Sequence, residues 1–438
     1  MNKIVSRVAM LALVCLLGAC SSSGPDITST NISDSHPVVG QRVLLRVLAL
    51  SDNPPLSYIW DGSGGVFQSK DNDFKAGEPV GQYYVYWVPT SASDRLLTCT
   101  VIDDEDNQET FNFSAKVKQR SLETLVDADF VLMAKDPDAL IGGILAGIRN
   151  HDFTYYSATA ETDFEWGKSE FAWGAIDNPL SAMILTSTTS YYYSVSYVWA
   201  VYQTSSGEWK LVSHGSSNDD VISTDFKDDG VSAVNKMGIN GTRIWVATDK
   251  GLYAYSTSVE EWTNPIELVD GDATVNVTDI YTVRDRVYVA TEAGIFYTTD
   301  NGDTWKKFTD TWDTKAITGS YDLVSDTIRI YALTEESDGS LTYTVRCFNK
   351  KGELLSTPGL PPDSYDWIES LDTDPLGNVW FGKWCWSPQD EMWDNPTAGL
   401  LDDSAADDNI VRSMVSPEGL VYLQSRAGKL MVWGKKKD

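Results

Sequence analysis

Two pairs of carboxylates sit beside tryptophan in this chain: Asp163 and Glu165 next to Trp166, and Asp390 and Glu391 next to Trp393. Paired carboxylates at an aromatic platform are what glycoside hydrolysis needs, one to protonate the leaving oxygen and one to attack or activate water. With 63 acidic residues in the chain some pair falls at that distance by number alone, so neither pair carries an assignment without geometry. Other constellations are thinner. His36, His151 and His214 have no second His or Cys at ligand spacing, so neither a zinc centre nor a His-based triad is expected. No Walker loop occurs, and no Gly-x-Gly-x-x-Gly run follows a strand. Asp103-Asp104-Glu105-Asp106-Asn107 reads as a solvated hairpin turn; it offers oxygen ligands for calcium but lacks an ordered ligand spacing. The expectation is no catalytic residue, no metal site and no cofactor. What stands out for binding is Trp384, Trp386 and Trp393 within Lys383–Pro396, because tryptophan is enriched at interface hot spots and in sugar-stacking sites. Packing in the core is the competing reading of all three.

These residues are positioned by a repeat. Trp245-Val246-Ala247-Thr248-Asp249-Lys250-Gly251-Leu252-Tyr253 returns forty-three residues later as Tyr288-Val289-Ala290-Thr291-Glu292-Ala293-Gly294-Ile295-Phe296. The register holds without a gap from Arg243 against Arg286 to Trp262 against Trp305. A unit of that length is about one four-stranded propeller blade. Tyr331 follows at the same offset, Trp380 and Tyr422 at spacings of forty-nine and forty-two, and Trp199 and Tyr156 precede at comparable intervals. Seven blades are therefore expected within residues 121–438. Asp129–Met133 is the segment expected to close the ring by completing the blade of Tyr422 to Trp433. On this frame Lys383–Pro396 interrupts the repeat as a decorated loop, with a second departure at Phe164–Trp173, and such loops carry recognition surfaces.

Thr298-Thr299-Asp300-Asn301-Gly302-Asp303-Thr304-Trp305 resembles the Asp box, Ser/Thr-x-Asp-x-Gly-x-Thr-Trp, of the sialidase-like (BNR) propeller families. The resemblance implies a structural turn remote from any active site. Asp300 would accept backbone N–H bonds, Gly302 would tolerate positive φ, and Trp305 would bury a large ring as the next strand starts. The preceding blade keeps only Trp262 of this pattern. Catalysis by a sialidase-like propeller would need an arginine cluster, a Tyr/Glu pair and an Arg-Ile-Pro segment; no Arg-Ile-Pro occurs, and Arg243 and Arg329 read as strand-end charges.

At the start of the chain Met1-Asn2-Lys3 and Arg7 precede an apolar run from Val8 to Leu17, and Leu17-Gly18-Ala19-Cys20 resembles the lipobox of bacterial lipoproteins. That run is shorter than the roughly twenty residues a membrane-spanning helix needs. Residues 1–19 are read as a signal peptide, Cys20 as the lipid anchor and residues 20–26 as a lipidated tether; an ordinary secretory signal with an incidental cysteine is the competing reading. Ser21 after the cysteine favours the outer membrane, with the periplasmic or surface face left open. A net charge of −29 argues against nucleic acid as partner, since phosphate binding needs a basic stripe and only Lys435-Lys436-Lys437 clusters cations. Of Cys99, Cys347 and Cys385, spacing cannot establish whether the last two bridge.

Residues 27–118 carry short β-branched and aromatic runs at Val43–Leu50, Ser57–Trp60, Gln82–Pro89, Leu96–Val101 and Thr110–Phe113, which suit a β-sandwich. Tyr58-Ile59-Trp60-Asp61-Gly62, Trp87-Val88-Pro89 and Thr98-Cys99-Thr100-Val101 resemble bacterial Ig-like or PKD-like domains, with Trp60 in the core. No cysteine faces Cys99, which is expected as a small buried hydrophobe. The whole is expected to be all-β, an N-terminal Ig-like β-sandwich followed by a seven-bladed β-propeller. The expected role is a membrane-anchored envelope or cell-surface lipoprotein acting as a non-catalytic protein-binding scaffold or assembly factor, with an envelope or surface protein as partner. The alternative is a carbohydrate-binding or glycoside-hydrolysing Asp-box propeller with a glycan as ligand.

Overall fold

A computed structural model describes residues 24–69, 74–127, 132–135, 144–149, 152–158, 167–171, 180–189, 194–215, 218–225, 230–263, 265–268, 275–309, 312–322, 327–335, 343–362, 370–401 and 409–434. The signal segment with Cys20, His151, the pair Asp163 and Glu165 with Trp166, Trp173 and Lys435–Lys437 lie outside the described residues.

Between Asp26 and Lys116 the chain forms two four-stranded antiparallel sheets. One runs Asp26–Ile32, Val43–Leu50, Tyr84–Pro89, Gly65–Gln68; the other runs Pro79–Val80, Ser57–Gly62, Asp94–Ile102, Gln108–Lys116. Alternation decides which side of each strand is buried: in Asp94–Ile102, Leu97, Cys99 and Val101 are fully buried while Thr98 and Thr100 are partly solvated. They join Trp60, Trp87 and Phe113 in one core shared by both sheets, with Trp60 paired to Cys99 across the ladder. The strands Asp26–Ile32, Gly65–Gln68 and Pro79–Val80 have no counterpart in the sequence reading, because they lack a hydrophobic period: the first and last have no buried residue, and in the second only Phe67 and Gln68 are buried. The acidic segment is the hairpin joining the last two strands. Asp103 is buried and spends its carboxylate on the N–H groups of Glu105 (3.0 Å) and Asn107 (2.9 Å) and on the Ser51 hydroxyl. Among the described residues no group of three or more His, Cys, Asp or Glu is placed to hold a metal ion.

The rest of the chain forms seven four-stranded antiparallel sheets, consistent with a seven-bladed β-propeller. In blades 2 to 7 the recurring aromatic lies on the second strand: Trp199, Trp245, Tyr288, Tyr331, Trp380 and Tyr422 are all buried there. The motif around it has a mechanical basis. The Thr248 hydroxyl donates to Gly251 O (2.8 Å) and accepts from Lys250 N, and Thr291 does the same to Gly294 O (2.7 Å) and from Ala293 N. Gly251 and Gly294 take φ of 116° and 113°, which a side chain would resist. Tyr156 departs from the expected register. It lies on the third strand of blade 1, paired with Ala146, and the second strand Ile144–Arg149 carries no aromatic.

Ring closure also differs from expectation. Ser121–Asp127, not Asp129–Met133, is the fourth strand of blade 7, pairing Leu122 with Trp433 and Asp127 with Lys429. Leu132–Ala134 is instead the innermost strand of blade 1. Ser121–Asp127 lies at the outer edge of the last blade and Leu132–Ala134 at the inner edge of the first, and residues 129–131 of the expected segment lie outside the described residues. Cys347 and Cys385 are free thiols, the first buried, and burial pushes both up from their ordinary range.

Candidate functional site

The tryptophan-rich segment does not interrupt its blade. Trp384–Ser387 and Met392–Asp394 are the third and fourth strands of blade 6, with Trp386 opposite both Val379 and Trp393. Trp386 is buried in a core it shares with Tyr331, Leu333 and Val345 of blade 5. Trp393 lies 5.8 Å from its ring and donates its indole N–H to Pro358 O (3.0 Å) of the neighbouring blade connection. Trp384 is half-buried, on the same hairpin. The expectation of a loop outside the blade is therefore corrected: Pro388 belongs to a tight turn and Pro396 follows the last strand, while Trp386 and Trp393 pack at the interface between blades. Asp390 sits in that exposed turn, bonded to the Ser387 hydroxyl at 2.7 Å, and Glu391 beside it has φ of 52°.

The Thr298–Trp305 turn joins the third strand of blade 4 to its fourth, Lys306–Lys307. Asp300 accepts from the Thr298 hydroxyl (2.6 Å), the Thr304 N–H (3.0 Å) and the Thr304 hydroxyl, while Gly302 N donates to Thr298 Oγ1. The Thr298 and Thr304 hydroxyls hold its carboxyl down at about 2. The turn presses on blade 3. Trp305 meets Trp245 edge-on at 5.6 Å, Arg243 donates to Asn301 O, and a Cβ on Gly302 would approach the Trp245 ring to 2.3 Å.

The inner wall of the ring is of a different character. A cavity of about 1170 Å³ is lined by residues of the innermost strands together with Arg42, Val66 and Gln68 of the N-terminal unit. Among the described residues six ring cations line it, Lys135, Lys236, Arg284, Lys315, Arg329 and Arg412, with Arg42 as a seventh, and the acidic lining residues are Asp279, Asp322, Asp372 and Asp374. A chain with 34 basic and 63 acidic residues thus turns a cationic wall inward. Four of its eight methionines, Met133, Met183, Met237 and Met414, line the same space.

Two aspartates here act as staples between blades. Asp372 of blade 6 accepts Val415 N (2.8 Å) of blade 7 and both close contacts of Lys135 Nζ (2.6 Å) from blade 1, so one carboxylate links three blades across the closure. Asp279 of blade 4 accepts Ile317 N (3.0 Å) of blade 5 and faces Lys236 Nζ of blade 3 at 3.6 Å. Burial pushes the Asp279 carboxyl up, against the pull of Lys236 and two amides. In blades 2, 3, 4, 5 and 7 the innermost strand is shifted by a bulge near its start, which re-aims the side chains that follow.

The N-terminal unit is strapped beside this cavity. Arg42 donates from Nη1 to Pro417 O (2.8 Å) and from Nε to Gln68 Oε1 (3.1 Å), and Gln68 donates to Pro375 O (2.8 Å). Arg120 bridges Val39 O (2.6 Å) on one side and Gly419 O (2.6 Å) on the other. Burial lowers the Arg42 guanidinium to about 10 while Tyr86, Glu418 and Asp374 oppose the shift. Sequence reading missed every one of these groups. The only trace was a charge inside otherwise apolar strand patterns, as at Lys236, Asp279 and Asp372.

No protein-family model matches the chain, and no curated protein sequence does. Among solved structures, it resembles the extracellular domain of BT4673 from B. thetaiotaomicron at 13% identity and a TM-score of 0.50, over 73% of this chain and 40% of that one. The chain therefore spans well under half of that domain. It is also similar to the WD40 β-propeller domain of Doa1 (11% identity, TM-score 0.46, 73% and 97% covered) and to YCF48 bound to D1 peptide (8%, 0.47, 73% and 96%). At such identities a likeness concerns fold alone, and it agrees with the sevenfold sheet arrangement: the chain has a β-propeller fold.

Proposed function

We propose that the chain is an envelope lipoprotein, anchored through Cys20 at the outer membrane, whose propeller serves as a non-catalytic protein-binding scaffold or assembly factor. In this reading residues 27–118 are an Ig-like or PKD-like module that spaces the ring from the membrane, and Thr298–Trp305 is an Asp box in a purely structural role. The observation that supports it is the strapping of the N-terminal unit onto the Pro375 and Pro417–Gly419 loops, next to the cavity that Arg42 and Gln68 help to line. Such a mount fixes two modules as one continuous surface, and a scaffold gains affinity when its surface is pre-organised.

Two measurements test the parts separately. Cys20→Ser should move the protein from the membrane to the soluble fraction with its melting curve unchanged; persistence on membranes after a carbonate wash would remove the lipid anchor. On a glycan array the purified full chain should retain no neutral or acidic glycan. Saturable retention of one glycan would put the carbohydrate reading in its place.

A further inference from the structure

Charge is where the cavity departs most from the molecule around it. Among the described residues six ring cations and Arg42 line it with four aspartates, in a chain whose acidic residues outnumber its basic ones 63 to 34. Three of those aspartates are already spent. Asp372 is bound by Lys135, Val415 N and Thr373 N, and Asp279 by Ile280 N, Ile317 N and Lys236. Asp374 is bound by Leu376 N, Asn378 and the Trp380 indole. Lys236 faces Asp279 at 3.6 Å and Lys315 is bound to Asp313 (2.6 Å), yet they keep side-chain exposures of 50% and 37%, and Arg329 is exposed. Charges on the outside of the ring, beyond a Debye length of about 8 Å at physiological salt, do little to cancel this local field.

We propose that the central cavity of the ring is a binding site for an extended acidic polypeptide segment that also carries apolar side chains. This rests on the protein-binding reading above and names its occupant. At about 1170 Å³ the cavity exceeds the roughly 300–1,000 Å³ of small-molecule sites. Each innermost strand is the edge of its sheet, and a peptide brings amide groups that suit the edge positions not already taken by Asp279 and Asp372. Met133, Met183, Met237 and Met414 supply a soft, adaptable apolar wall of the kind used to hold varied peptide side chains. A glycan fits less well. None of the tryptophans among the described residues lines the cavity, the Tyr281 hydroxyl is bonded to Gly319 O (2.8 Å), and the Arg284 guanidinium covers the Tyr321 ring at 4.2 Å.

The test is selection of a random twelve-residue displayed peptide library on the full chain, followed by titration of the enriched peptides. Three proteins are compared: the parent, an inner variant Lys236→Gln/Lys315→Gln/Arg329→Gln, and an outer variant Lys306→Gln/Lys307→Gln/Lys350→Gln that removes the same number of charges from the rim. Melting curves check that both variants fold. Enriched peptides should be net negative with interspersed apolar residues, bind more weakly as salt rises, and lose about tenfold or more in affinity on the inner variant alone. Neutral or basic enriched peptides, no enrichment, or equal losses on both variants would overturn the inference. A peptide held equally well by parent and inner variant overturns only the cavity assignment and leaves protein binding standing. Oligogalacturonate, tested in parallel, should not bind; its retention by the parent and loss on the inner variant would overturn both readings together.

Discussion

The outer rim and the inner wall of the ring are built from opposite materials. At the rim and the blade interfaces tryptophan packs on tryptophan, Trp305 on Trp245 and Trp393 on Trp386, and the Thr298–Trp305 turn lies there too. The wall holds lysine, arginine and methionine around a cavity, stapled by Asp279 and Asp372. The residues with the loudest sequence signals do the packing, whereas the residues that face open space carry no motif. A conspicuous pattern marks a constraint on backbone geometry, and a functional surface on a repeat fold need not have one.

The largest effect should come from opening the ring. Removing Lys429–Asp438 deletes the strand that holds Ser121–Asp127, so blade 7 loses both outer strands. All seven blades should lose their cooperative thermal transition while the N-terminal unit keeps its own; a truncated chain melting like its parent would break the closure account. Next in size is Trp386→Ala, which empties a buried position between blades 5 and 6 and should cost about 3–5 kcal/mol in denaturant unfolding. Trp384→Ser, on the half-buried neighbour, should cost much less, and equal losses would mean that the hairpin does not divide into a buried and an open side.

Asp372→Ala tests the wall as structure. It strands the Val415 amide and Lys135 but leaves Lys135 able to reach water, so about 2 kcal/mol is expected. The smallest change is Asp300→Ala, whose carboxylate is solvated. Its folded pKa, at about 2, lies below the roughly 3.9 of an unfolded aspartate, so its contribution is present above about pH 4 and is lost as pH falls toward 2. The parent's melting temperature should drop more steeply than the variant's across that window, with equal slopes removing the carboxylate from the turn's stability.

Much of the fold was legible because blade geometry repeats itself in sequence. The Thr-x-x-Gly turn after the second strand needs a hydroxyl and a positive φ, so Thr248–Gly251 and Thr291–Gly294 look alike. The same logic failed at Tyr156, which shares the spacing of the other aromatics but lies one strand along. It failed again at Lys383–Pro396, where turn prolines and interface tryptophans together imitate a loop. The cavity was illegible for a deeper reason. Lys135, Lys236, Lys315 and Arg412 come from different blades, and only closure of the ring gathers them.

In the proposed binding mode, contact with a partner happens at the inner wall and not at the rim. Site-specific photocrosslinking in intact cells tests it directly, with the probe placed in turn at Leu376, which is exposed and lines the cavity, and at Val259, exposed in a rim turn of blade 3. The account predicts a discrete, protease-sensitive adduct from Leu376 and none from Val259. An adduct from Val259 with Leu376 silent would contradict it.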